Sequence, residues 1–144
     1  MNNLVLCYSD CDLAVGENSL GIIKKCGFEL LVSYDKEEAM ELIHSKKPFL
    51  VILLTSGSNA LDIMSSDTND KDTKYLVACD SEGIDEVLLF RFNSNKPIYS
   101  CIGVNSPDFG FFLDKILNGE IGQKNSKVLA FGNLKYSDTY GAMS

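Results

Sequence analysis

The feature that most constrains the fold is a set of short apolar runs in which polar residues do not alternate with apolar ones. The runs are LVLCY, FELLVSY, FLVILL, KYLVAC and PIYSCIGV, starting at residues 4, 28, 49, 74 and 97. Such runs are typical of parallel strands covered on both faces. We therefore expect a sheet buried between two layers of helices.

Helical patterns lie between the early runs and have recognisable ends. The first spans residues 17–26 and stops at Gly27, a residue suited to the left-handed position after a helix. The second has Asp35 as its N-cap, Glu38 three places later and Pro48 beyond its end. Strand and helix therefore alternate through this part of the chain.

The later elements are read from composition and turn residues. A short third helix is expected with Ser58 as its N-cap. The stretch IDEVLLFRFNSN, residues 84–95, could be a strand or an extended connector, and its Val, Leu and Phe content favours a strand. Pro107 begins the last helix, and KVLAFGNL at residues 127–134 predicts a short closing strand.

Together these elements predict one α/β domain that spans residues 1–144. We expect a three-layer αβα sandwich with a mainly parallel, flavodoxin-like or Rossmann-like sheet of about five strands, in an order near 2-1-3-4-5. The closing strand would be a short addition to this sheet. In such folds the ligand site lies beyond the carboxyl ends of the strands.

Charge and cysteine content restrict the partners and the compartment. The formal charge of −7 repels nucleic acid and anionic membrane surfaces, and no run is long enough to span a membrane. The five cysteines form no disulfide or zinc pattern, so we expect a cytoplasmic protein with no metal and no cofactor. Cys7, Cys79 and Cys101 lie in apolar runs and are expected to be buried.

The stretch from residue 27 to residue 57 resembles the receiver domain of two-component response regulators. A receiver accepts phosphate on an aspartate at the end of its third strand, and this chain has Leu54 there. Ser9, Asp10 and Asp12 stand where that family places acidic residues for magnesium. The resemblance implies a degenerate receiver that cannot be phosphorylated and acts as a protein-interaction or signalling domain.

A second resemblance covers about 120 residues and rests on the order of several segments. They are GFELLVSYDKEEAMELI, FLVILLTSGSNALDIM, KYLVACDSEG, PIYSCIGVNSPDFGFFLDKILNGEI and VLAFGNL. In this order they resemble the C-terminal lobe of the basic membrane protein family, purine-nucleoside-binding proteins of the type I periplasmic binding-protein fold. This chain has Gly103 where that family tends to carry a lysine.

The second resemblance implies that Asp80 binds ribose hydroxyls, since a carboxylate offers several acceptor sites to a diol. The alternative is that Asp80 caps the following turn through Ser81 or Gly83. The other candidate ligand-binding residues are polar or small residues on or near the same strand ends: Ser56, Gly57, Ser58, Asn59, Asp10 and Ser100. For the SGSN stretch a turn with a helix cap is an equal alternative, and for Ser100 a buried hydroxyl bonded to backbone.

The sequence favours binding over catalysis, because it contains no phosphate-binding glycine-rich loop and no hydrolase elbow. We expect a non-enzymatic module that binds or senses a small molecule such as a nucleoside. It resembles one lobe of a periplasmic binding protein, so a homodimer would supply the second wall of the ligand-binding cleft. The alternative, a pseudo-receiver, predicts a protein-docking face around the last helix. Phe109, Phe111 and Phe112 cannot all point inward, and exposure of Phe111 would support this alternative.

Overall fold

The computed structural model describes residues 3–10, 14–66, 73–94, 96–105 and 107–119. Strands and helices alternate along these residues without exception. The strands are β1 (Leu4–Ser9), β2 (Glu29–Ser33), β3 (Leu50–Leu54), β4 (Lys74–Cys79) and β5 (Ile98–Ile102). The helices are α1 (Glu17–Lys25), α2 (Lys36–Lys46), α3 (Gly57–Ser66), α4 (Ile84–Phe92) and α5 (Pro107–Leu117).

The five strands form one sheet in the order β2-β1-β3-β4-β5, and every neighbouring pair is parallel. This confirms the predicted α/β sandwich and its strand order. All five residues of β3 are buried, because helices cover both faces of the central strand. The predicted closing strand at residues 127–134 lies outside the described residues.

The core consists of two apolar clusters, one on each face of the sheet. Alternate residues of a strand point to opposite faces, so Ile52 belongs to one cluster and Val51 and Leu53 to the other. Helices α1 and α5 pack together on the first face, and α3 packs against α2 and α4 on the second. Phe109 is 1% exposed in the first cluster, and such burial stabilises the fold by about 1.5–3 kcal/mol.

Helix α2 has the ends that its sequence predicts. The Asp35 side chain accepts a hydrogen bond from Glu37 N at 3.2 Å, which satisfies one of the unpaired N–H groups of the first turn. Lys47 ends the helix in the left-handed conformation at φ 47°, and Pro48 follows it. Gly27 also adopts the expected positive φ, 83°, after α1.

Two local predictions are wrong. Residues 84–92 of the predicted strand form helix α4, because Val87 and Arg91, four residues apart, face inward and the parallel pair β4 and β5 needs a crossover. The N-cap of α3 is Ser56, whose Oγ accepts a hydrogen bond from Asn59 N at 3.3 Å, and not Ser58, which lies inside the helix. Strand propensity at residues 84–92 was overridden by this packing.

Candidate functional site

Polar side chains gather where the central strands end. Asp10 follows β1, Thr55 follows β3 and Asp80 follows β4. Because all strands are parallel and β3 lies between β1 and β4, these residues lie on one edge of the sheet. Strands are spaced about 4.8 Å apart, so β1 and β4 are about 10 Å apart at this edge.

The Asp10 carboxylate is held by two side chains from the β3–α3 segment. Its Oδ2 accepts a hydrogen bond from Thr55 Oγ1 at 2.5 Å and another from Asn59 Nδ2 at 2.7 Å. Thr55 is buried and Asn59 half-buried, whereas Asp10 itself is exposed. Neither hydrogen bond involves Oδ1, so Asp10 is fixed through one oxygen.

Lys36, in the first turn of α2, extends this network to a second helix. Its Nζ lies 3.5 Å from Asn59 Oδ1 and 2.8 Å from Asp62 Oδ2. The hydrogen bond with Asp62 raises the pKa of Lys36, which therefore stays charged. Asp10, Thr55, Asn59, Lys36 and Asp62 thus form one network of hydrogen bonds and an ion pair.

On the other side of β3, the loops after β3 and β4 touch through bare backbone. A Cβ placed on Gly57 would lie 2.7 Å from both Cα and O of Gly83. Asp80 stabilises this turn, since its Oδ1 accepts a hydrogen bond from Gly83 N at 2.9 Å. The turn-capping alternative for Asp80 is therefore present. Asp80 is nevertheless exposed, and this bond leaves its Oδ2 unused.

The three serine candidates are in different surroundings. Ser56 and Ser58 are exposed, and their hydroxyls lie 3.3 Å apart. Ser100 is half-buried in the middle of β5, where it pairs in register with Val77. The structure therefore brings together Asp10 and Asn59 and places Asp80, Ser56, Gly57 and Ser58 along the same edge, but it sets Ser100 apart.

Sequence reasoning missed Lys36 and Asp62 as members of the network. Thr55 directly follows the buried third strand, which is the position that the sequence assigns to it. Lys36 and Asp62 lie on different helices, α2 and α3, so their ion pair depends on helix packing that no local pattern shows.

The buried thiols offer little reactivity. Burial raises the pKa of Cys7 and that of Cys79 to about 12 each, and it also raises the pKa of Cys101. All three cysteines are at most 4% exposed, which confirms their predicted burial. Leu54, at the receiver phosphorylation position, is fully buried. Among the described residues no group of three or more His, Cys, Asp or Glu side chains could hold a metal ion.

Two buried polar side chains, Arg91 and Tyr99, lie outside the edge that carries Asp10 and Asp80. Arg91 on α4 is 5% exposed, and its Nη1 and Nη2 have no hydrogen-bond partner among the described residues. The hydroxyl of Tyr99 on β5 has none there either. Burial lowers the pKa of Arg91 and raises the pKa of Tyr99.

Neither a scan against protein-family models nor a search of curated proteins found a match to this chain. Across the parts of the chain that the structure describes, no helix has both the length and the apolar character to cross a membrane.

Proposed function

We propose that this chain is a non-enzymatic binding or sensing module that holds a small, hydroxyl-rich molecule at the carboxyl edge of its sheet. The observation that carries the proposal is the hydrogen bonding of the two exposed carboxylates, Asp10 and Asp80. Asp10 is anchored through Oδ2 and Asp80 through Oδ1, and each has a second oxygen not bound to any described residue. A fixed carboxylate with one unused acceptor suits a hydroxyl donor.

The arrangement fits a ligand of nucleoside size. About 10 Å separates the strands that carry the two carboxylates. Gly57 and Gly83 are buried against each other, so the loops after β3 and β4 are held together at this edge. The resemblance to nucleoside-binding lobes assigns ribose hydroxyls to Asp80, which agrees with its exposed position. The described side chains at this edge offer hydrogen bonds but no activated nucleophile, which favours binding of a ligand over its chemical transformation.

Titration calorimetry tests this proposal with adenosine, guanosine and inosine. We expect binding to the wild-type chain and about 10- to 100-fold weaker binding to Asp80→Asn, because a hydrogen bond to a charged group contributes about 1.5–3 kcal/mol. Glu41→Gln is the matched control, since it makes the same charge change on an exposed part of α2. Absence of heat with all three nucleosides, or equal affinity in Asp80→Asn, refutes the nucleoside assignment.

A second candidate function, a phosphorylation-incompetent pseudo-receiver that binds a protein, is favoured by the exposure of Phe111. This side chain is 47% exposed, while Phe109 and Phe112 beside it are buried. Leu89 and Phe92 on α4 are also exposed, at 64% and 54%. The prediction that Phe109, Phe111 and Phe112 cannot all face inward is therefore confirmed.

Acetyl phosphate and surface variants test the pseudo-receiver candidate. The pseudo-receiver should gain no phosphoryl group by mass spectrometry, since Leu54 cannot form an acyl phosphate. Under this candidate, Phe111→Ser should lose binding of the protein partner and Glu41→Gln should retain it. Neither substitution should change the affinity for nucleosides. A phosphoryl adduct on the wild-type chain, or partner binding that survives Phe111→Ser, contradicts this candidate.

A further inference from the structure

The outer edge of β2 is not paired with any strand in the part of the chain that the structure describes. Strand β2 is last in the sheet order and pairs only with β1 among the described residues. Glu29 N donates to Asn3 O, so Glu29 points its backbone groups towards β1. Since backbone groups alternate along an extended strand, Leu30 and Val32 point theirs away from the sheet.

This edge has few of the features that keep strand edges apart. Natural edges are protected by lysine or proline within the strand, by bulges or by a covering element. Strand β2 has the sequence ELLVS, without lysine or proline, and its register with β1 is continuous. Val32 is 43% exposed on it. The edge is therefore able to accept another strand.

The edge also carries a groove and a matching projection. A groove of about 790 Å³ lies at the amino end of β2, lined by residues that include Leu20, Ile23, Lys24, Phe28, Leu30 and Lys46. Tyr34, immediately beyond the carboxyl end of β2, is 67% exposed. One end of the edge thus offers a groove lined by apolar side chains and by charged Lys24, Glu29 and Lys46, and the other end offers an exposed aromatic ring.

The helices that flank this edge have opposite charges at their two ends. Helix α1 has Glu17 in its first turn and Lys24 and Lys25 in its last. Helix α2 has Glu37 and Glu38 in its first turn and His44 and Lys46 in its last. A copy of the chain rotated by a two-fold axis would bring acidic ends next to basic ends on both faces of the sheet.

We propose that two copies of this chain associate through antiparallel pairing of their β2 edges, with the two-fold axis at Leu31. Leu30 then faces Val32 of the second copy, and their outward backbone groups form about four hydrogen bonds across the axis. In the same register Phe28 faces Tyr34 of the second copy, which places the exposed ring at the groove. The two sheets become one continuous sheet.

A second copy fits this edge better than an unrelated strand, because projection, groove and charges are all self-complementary, as an isologous contact requires. The inference does not depend on the ligand site, which lies at the ends of the central strands. Nucleoside binding and dimer formation can therefore fail separately.

Sedimentation equilibrium of the full chain tests the interface. We expect a mass about twice 15.9 kDa for the wild type. Val32→Pro should be monomeric, because proline removes an outward N–H and is tolerated on edge strands. Tyr34→Asp, an exposed position, should raise the dimer dissociation constant about 10-fold or more. Leu89→Asp, an equally exposed apolar position on α4, should remain dimeric.

Cysteine cross-linking tests the register directly. Residues at position 31 face each other across the axis as a close antiparallel pair, so Leu31→Cys should form a covalent dimer under mild oxidation. Val32→Cys faces residue 30 instead and should cross-link no more than the wild type. A wild type that is monomeric at all concentrations, a dimer that survives both Val32→Pro and Tyr34→Asp, or equal cross-linking at positions 31 and 32 overturns the proposal.

Discussion

Replacing Gly57 with alanine should destabilise the fold, because the added Cβ would clash with the backbone of Gly83. The new Cβ would lie 2.7 Å from Cα and from O of Gly83, and 3.0 Å from its carbonyl carbon. All three atoms belong to the backbone, so no side chain can rotate away. Relief needs a shift of at least about 0.7 Å in one of the two loops.

The size of the effect follows from two opposing contributions. Overpacking in a close contact costs about 1–3 kcal/mol. Alanine in a helix is more stable than glycine by about 0.5–1 kcal/mol, and Gly57 is the first residue of α3. The net expectation is a loss of about 1–2 kcal/mol in the free energy of unfolding. The shift would also disturb the hydrogen bond between Asp80 and Gly83.

Urea unfolding followed by far-UV circular dichroism measures this loss, with Gly21→Ala as the control. Gly21 lies in α1, and a Cβ added there meets nothing within 4 Å. Gly21→Ala should therefore raise stability by about 0.5–1 kcal/mol. If Gly57→Ala is as stable as the wild type, the close approach of the two loops is not a constraint and the reasoning is refuted.

Three further predictions concern buried polar groups. Arg91→Met should raise the free energy of unfolding by about 1 kcal/mol or more, since it removes a buried guanidinium whose Nη1 and Nη2 have no acceptor in the described part of the chain, and a loss in thermal or urea unfolding would contradict this. Iodoacetamide at pH 8 should label half-buried Cys26 far faster than Cys7 and Cys79 in native protein, as read by peptide mass spectrometry, and equal rates would contradict their burial. Stability should fall from pH 9 towards pH 12, because the pKa of Cys7 is raised from 9.0 to about 12 and the neutral thiol is favoured in the fold. Cys7→Ala should make that fall less steep in urea titrations at several pH values, and the buried thiols of Cys79 and Cys101 should account for part of what remains.

The strands and their order were predictable from the sequence because the three central strands β1, β3 and β4 are buried on both faces. The run FLVILL contains β3, and no polar residue interrupts it. Right-handed crossovers and short connections then leave few possible orders. The ends of α2 were predictable for a different reason, since Asp35 and Pro48 act locally.

Helix α4 was not predictable by the same means. Leu89 and Phe92 are exposed on it, while Arg91 is buried, so its pattern of apolar and polar residues does not follow one helical face. The candidate site was predictable only in part. Asp10, Asn59 and Asp80 could be placed at the correct edge by topology, but the ion pair of Lys36 with Asp62 depends on how α2 and α3 pack.

The position of β3 affects how the chain must be made. Strand β3 pairs with β1 on one side and with β4 on the other, yet β4 begins 20 residues after Leu54. A chain still on the ribosome that has not reached Lys74 presents LVILL with one edge unpaired. Such edges promote aggregation during synthesis. We expect the yield of this protein in cells to depend on how quickly translation passes residues 55–73.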